Sequence, residues 1–145
     1  MKKILILSAL ISLLLTGCAE KTITDVKPSA ILNQFEQDET FIVYFGLSYC
    51  SACKIFRSVI ESSMKTEEFD VLYLEYDKLM EDAGSAADLE NIIANYIDPY
   101  SPFLYSFPIL YIVDKGEIID SFALLQTDTE AEFIARLKLN GVISE

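Results

Sequence analysis

The sequence contains no histidine and no tryptophan. Without imidazole there is no Ser-His-Asp or Cys-His machinery and no zinc site with histidine ligands, which excludes a papain-like role for any cysteine. The missing tryptophan removes nothing from the available chemistry. Positive charge is scarce: Lys and Arg number 11 against 23 Asp and Glu, for a net charge of −12. Nothing resembles a basic patch, so nucleic acid is not an expected partner. Cysteine is limited to three residues, Cys18, Cys50 and Cys53. One more absence is local: residues 40–60 contain no acid at all and carry only Lys54 and Arg57 as charges.

That acid-free stretch organises the chain. Residues 41–45 form a short apolar run of β-branched and aromatic side chains flanked by Gly46 and Ser48, which predicts a buried strand. It leads into Cys50-Ser51-Ala52-Cys53. After that, apolar side chains recur at helical spacing through Cys53, Phe56, Val59, Ile60 and Met64. The two cysteines therefore fall where a strand hands over to the first turn of a helix. Unpartnered backbone N–H groups and the positive end of the helix dipole both favour a thiolate there. Cys50, at the outer edge, is the expected nucleophile, and Cys53, one turn in, the resolving thiol.

At 145 residues and 52% hydrophobic, the chain is long enough for one domain with a sizeable core. Lys2 and Lys3 followed by the apolar run 4–15 read as a signal peptide, too short to span a bilayer comfortably. It ends in Leu15-Thr16-Gly17-Cys18, which resembles a bacterial lipobox. The resemblance implies that residues 1–17 are removed and that Cys18 carries lipid, anchoring the protein to the outer face of a bacterial membrane. Loss of the two leader lysines takes the net charge from −12 to −14. Residues 18–27 are then a lipidated tether, with a weak edge strand at 22–26, and residues 28–145 the folded domain. With Cys18 consumed, one cysteine pair remains in an oxidising setting.

Within the domain, Pro28 and Ser29 open a short helix through Ile31, Leu32 and Phe35. The central strand and the CxxC helix follow, and residues 69–76 alternate as a second core strand. Residues 77–84 read as an acidic turn. Ser85 with Asp88 resembles a capping box for a helix through Leu89, Ile92, Ile93, Tyr96 and Ile97, broken at Asp98-Pro99. Residues 109–113 and 117–124 form a hairpin around Asp114-Lys115-Gly116. Thr127 or Asp128 caps a last helix that faces Phe133, Ile134 and Leu137 inward and stops at Gly141. The order β-α-β-α-β-β-α predicts an α/β domain with a central mixed sheet flanked by helices.

Three matches in this order resemble the thioredoxin family over most of residues 41–141. They are Tyr49-Cys50-Ser51-Ala52-Cys53-Lys54 after an apolar strand, Phe107-Pro108-Ile109-Leu110-Tyr111-Ile112-Val113, and Asp114-Lys115-Gly116-Glu117. The resemblance implies a thioredoxin-like fold with the CxxC at the N-terminus of a helix. It further implies a redox-active Cys50–Cys53 pair needing no bound cofactor, and a cis peptide before Pro108. Tyr49, standing where thioredoxins usually have tryptophan, Phe107 and Pro108 would contact substrate. Lys54 and Tyr44 would support the site, with Arg57 solvated on the surface.

Tyr44 is also a departure, because thioredoxins place a buried Asp there, six residues before the first cysteine. Ser51-Ala52 likewise matches neither the Gly-Pro of reducing relatives nor the histidine of oxidising ones. Residues 77–106 exceed the thioredoxin minimum, and their Tyr96, Tyr100, Phe103, Leu104 and Tyr105 are read as core or lid packing. In this the chain resembles bacteriocin-transport accessory proteins. The expected function is a lipid-anchored thiol-disulfide oxidoreductase acting on protein thiols and disulfides, with a separate electron-transfer partner. The alternative is a non-catalytic accessory subunit of an export or cell-surface complex. Two thiolates holding Cu(I) is the weaker third reading, and no metal site is expected.

Overall fold

A computed structural model describes residues 22–101, 106–123 and 129–144. The leader, Cys18, the apolar residues Phe103, Leu104 and Tyr105, and the capping candidates Thr127 and Asp128 lie outside these residues. In chain order the elements are β1 (Ile23–Asp25), α1 (Pro28–Phe35), β2 (Thr40–Gly46), α2 (Ser51–Ser63) and β3 (Val71–Glu75). They continue with α3 (Tyr76–Leu79), α4 (Ala83–Ile92), a π-helical turn (Ile93–Ile97), α5 (Asp98–Tyr100), β4 (Ile109–Asp114), β5 (Glu117–Ala123) and α6 (Glu130–Leu139).

The strands form one sheet in the order β1-β3-β2-β4-β5. β3 runs parallel to both β1 and β2, whereas β4 is antiparallel to β2 and to β5. The sheet is therefore mixed, and β2 is its middle strand. The Ile23–Asp25 segment, part of the expected tether, supplies an edge of this sheet.

Alternation along the strands sorts side chains into two cores. Ile42 and Tyr44 of β2, Val71 and Tyr73 of β3, and Leu110 and Ile112 of β4 face α2 and α6. Val43 and Phe45, Leu74, and Tyr111 and Val113 face α1 and α4. Each helix contributes the stripe its spacing dictates: Ile31 and Phe35 from α1, Cys53, Phe56 and Ile60 from α2, Phe133 and Leu137 from α6.

Three local expectations are corrected. The acidic turn expected at 77–84 contains the short α3, and α4 begins one turn earlier than the Ser85 reading. Its cap is Asp82, whose carboxylate accepts from the Ser85 backbone N–H at 2.8 Å. Second, Asp98-Pro99 does not end the helix. The chain winds through a π turn into α5, and Ser101 N–H still bonds the Ile97 carbonyl at 2.8 Å. Pro99 is accommodated because it occupies a first-turn position, where no intrahelical N–H is required. The wider winding also brings Ile92 and Ile97, both buried, onto one side, which α-helical winding would separate.

Third, α6 is capped by Thr129 in a reciprocal box. Thr129 Oγ1 accepts from Glu132 N–H at 3.3 Å while Glu132 Oε2 accepts from Thr129 N–H at 2.8 Å. At the β4–β5 turn both central residues have positive φ, Lys115 at 51° and Gly116 at 79°. A Cβ on Gly116 would also come within 2.6 Å of the Phe35 carbonyl oxygen, so glycine is required there.

Candidate active site

β2 delivers the chain to the site. Gly46 closes the strand where a Cβ would stand 2.8 Å from Tyr73 Oη and 2.9 Å from its ring, so the neighbouring strand packs directly on this backbone. Leu47, Ser48 and Tyr49 make the turn, with Cys50 N–H bonded to the Leu47 carbonyl at 3.3 Å. Cys50 is the N-cap of α2, and its sulfur accepts from the Cys53 backbone N–H at 3.0 Å. A sulfur thus takes the place of the capping oxygen and sits among the orphan donors of the first turn.

Cys50 and Cys53 are joined by a disulfide, with Cα atoms 5.2 Å apart. The two sulfurs are unequal in access. Cys53 is buried at 4% exposure, whereas Cys50 is half-buried at the rim beside Tyr49, which is 76% exposed. A reacting partner therefore meets Cys50 first.

Cys50 and Phe107 pack against the same apolar cluster as Cys53 and Tyr44. The Phe107–Pro108 peptide bond is cis. Pro108 is buried, and the half-buried Phe107 ring lies 5.2 Å from that of Tyr76. Lys54, Arg57 and Cys53 line one cleft of about 190 Å³ together with Tyr44, Tyr73 and Ser48. Cys50, Cys53, Tyr44, Tyr49, Lys54, Phe107 and Pro108 therefore gather at one end of the sheet, around the start of α2.

Tyr44 is fully buried, and its hydroxyl donates to the Cys53 carbonyl oxygen at 3.0 Å. Its ring stacks obliquely on Tyr73 at 4.9 Å and edge-on to Phe56 at 5.1 Å. Burial, with a smaller contribution from Tyr73, raises the Tyr44 hydroxyl far above the usual tyrosine range, against a lowering influence of Arg57. Burial likewise pushes Tyr73 up to about 12. Both remain protonated donors at physiological pH, so neither can serve as a base for the Cys53 thiol. Arg57 is not simply solvated: its guanidinium lies 5.4 Å from the Tyr73 ring centre and bonds Glu61 at 3.0 Å.

The sequence reading did not single out Asp77. Its carboxylate accepts from the Ser48 backbone N–H at 3.0 Å and also from the Ser48 hydroxyl. Partial burial pushes this carboxyl up, but the Ser48 hydrogen bonds outweigh it and hold the group below the usual carboxylate range, aided by its own backbone N–H and Lys78. The signal that would have found it is the parallel pairing of β2 with β3.

Tyr96 and Tyr100 are not at this site. Tyr96 stacks on Phe35 at 3.9 Å, and both tyrosines border a second cleft with Gly116 and Ile118. The antiparallel register, Thr40 with Asp114 and Phe45 with Ile109, places that hairpin at the sheet end away from Cys50.

Solved thioredoxins share this fold. Thioredoxin f2 of Chlamydomonas reinhardtii superposes with a TM-score of 0.56 at 12% identity, over 82% of this chain and 96% of its own. Oxidised thioredoxin from Plasmodium falciparum gives 0.55 at 16% identity, over 82% and 98%. A mutant thioredoxin from Halobacterium salinarum gives 0.56 at 13% identity, over 87% and 94%. No family model and no curated protein matches the sequence. The fold is that of thioredoxin: a mixed five-stranded sheet with flanking helices and a CxxC pair at the start of α2.

Proposed function

We propose that this protein is a thiol-disulfide oxidoreductase that exchanges disulfides with protein substrates while held by lipid on Cys18 at the outer face of a bacterial membrane. The observation that carries the reading is the Cys50–Cys53 disulfide at the helix start, with one accessible and one buried sulfur. In the reducing direction, the Cys50 thiolate attacks one sulfur of a substrate disulfide, forming a mixed disulfide and releasing one substrate thiolate. The Cys53 thiolate then attacks Cys50 Sγ and releases the second. The substrate gains two electrons, the protein's own disulfide forms, and a separate dithiol partner must return the electrons. In the oxidising direction the same steps run in reverse. Tyr49 and Phe107 offer the contact surface for substrate, with the buried Pro108 next to Phe107, and Lys54 adds positive charge beside the pair.

The deciding experiment equilibrates full-length protein in detergent against glutathione and dithiothreitol series. A potential near about −270 mV makes it a reductant, and one near about −120 mV a disulfide donor. If the folded protein exchanges with neither couple, the oxidoreductase reading fails. Tyr44 in place of an internal carboxylate favours, in that case, a non-catalytic accessory subunit of an export or surface complex. The anchor has its own test. Metabolic labelling with a fatty-acid analogue is expected to tag the wild-type protein and not Cys18→Ala, and an unlabelled wild type would refute lipidation.

A further inference from the structure

We infer that Asp77 is a positioning residue for Cys50: it pins the turn that carries the nucleophile and sets a fixed negative charge against its thiolate. This rests on the oxidoreductase reading. The placement follows from the sheet. β2 and β3 are parallel, with Gly46 paired to Glu75. Ser48 and Asp77 each lie two residues beyond that pair, so the register itself carries the carboxylate to the turn. Both Ser48 donors, N–H and Oγ–H, close on it. Ser48 is two residues before Cys50, within the turn closed by the Cys50-to-Leu47 hydrogen bond.

Two fields therefore act on Cys50 in opposite senses. The orphan N–H groups and dipole of α2 stabilise a thiolate, and the Asp77 carboxylate opposes it. The cleft lined by Ser48 and Cys53 also carries Lys54 and Arg57 from α2, Asp25 from β1, and Glu75 from β3. Glu75 is itself paired to Lys78 of α3 at 2.6 Å. Destabilising the thiolate destabilises the reduced form, so Asp77 makes the couple more reducing than the helix terminus alone would.

The test compares full-length wild type with Asp77→Asn, and with Glu90→Gln, which removes an exposed charge from α4. Asparagine keeps an oxygen to accept from Ser48 N–H, so the turn is retained while the charge is lost. After phosphine reduction, the pH profile of Cys50 alkylation is read by mass spectrometry of its peptide. The equilibrium with glutathione is measured alongside. In Asp77→Asn the alkylation midpoint is expected at lower pH, and the equilibrium shifted about two- to fivefold toward the dithiol, as one unit charge acts through partly aqueous surroundings. Glu90→Gln should match wild type. Coincidence of Asp77→Asn with wild type in the alkylation profile, or an equal shift in Glu90→Gln, overturns the inference. A wild-type protein that exchanges with neither glutathione nor dithiothreitol refutes the oxidoreductase reading instead, and the alkylation profile still decides the role of Asp77.

Discussion

The Tyr44 hydroxyl donates to the Cys53 carbonyl across 3.0 Å in a fully buried setting. The side chain aimed at Cys53 is thus a hydrogen-bond donor that holds backbone, not an acid-base group that moves protons. Tyr44→Phe deletes only that donor. It should cost about 1 kcal/mol in urea unfolding of the oxidised protein. An unchanged midpoint would mean that the bond contributes nothing.

The same pairing bears on pH. Reduction takes up two electrons and, below the thiol pKa values, two protons. The potential of wild type and of Tyr44→Phe should therefore fall by about 59 mV per pH unit with the same slope. A break in the wild-type line that disappears in the phenylalanine variant would show that Tyr44 exchanges a proton after all.

Stability in alkali follows from the raised tyrosines. Folded Tyr73 keeps its proton up to about 12, whereas its unfolded counterpart loses it near 10.0. Between those values the unfolded chain binds fewer protons, so stability is intact below that window and falls as pH rises through it. Tyr44 and Tyr111 act with the same sign, both raised chiefly by burial. Urea unfolding at about pH 9 and about pH 11 checks this, and equal midpoints would contradict it.

Cys53→Ser should halt exchange after the first step. A mixed disulfide to Cys50 would then persist on non-reducing gels and vanish with dithiothreitol, because nothing remains to resolve it. Cys50→Ser should form no such adduct. If the adduct formed through Cys53 instead, the assignment of the two sulfurs would be inverted.

Gly46→Ala places a methyl 2.8 Å from Tyr73 Oη and 2.9 Å from its ring, next to Tyr44 Oη at 3.3 Å. Overpacking of this kind costs about 1–3 kcal/mol. Denaturant midpoints should report the loss. A neutral result would show that the Tyr73 ring can move aside.

Much of this was readable from residue order. The apolar run before Cys50 and the helical stripe through Phe56 and Ile60 gave strand, helix and sulfur placement, because both patterns are local. The caps were less legible. Asp82, Ser85 and Asp88 all suit a helix start, and only the backbone shows that Asp82 takes the Ser85 N–H. Asp98-Pro99 misled because proline is as acceptable in a first turn as after a last one. Tyr44 could be placed but not understood. Its partners, the Cys53 carbonyl and Tyr73, come from different elements. Asp77 was hidden for the same reason: its contact to Ser48 spans 29 residues and depends on strand register.

The β1 edge has a mechanical consequence for a lipid-anchored protein. Ile23, the first residue of the sheet, follows the proposed acylated Cys18 by only five positions, a reach of at most about 17 Å even when fully extended. The domain would ride on a short leash against the headgroups, with the β1 side nearest the bilayer. Its clients would then be proteins that come to the membrane surface, such as chains emerging from a translocation pore, and not those diffusing freely beyond it. Inserting a long flexible spacer after Cys18 should widen the set of substrates trapped by Cys53→Ser, and an unchanged set would show that the leash imposes no restriction.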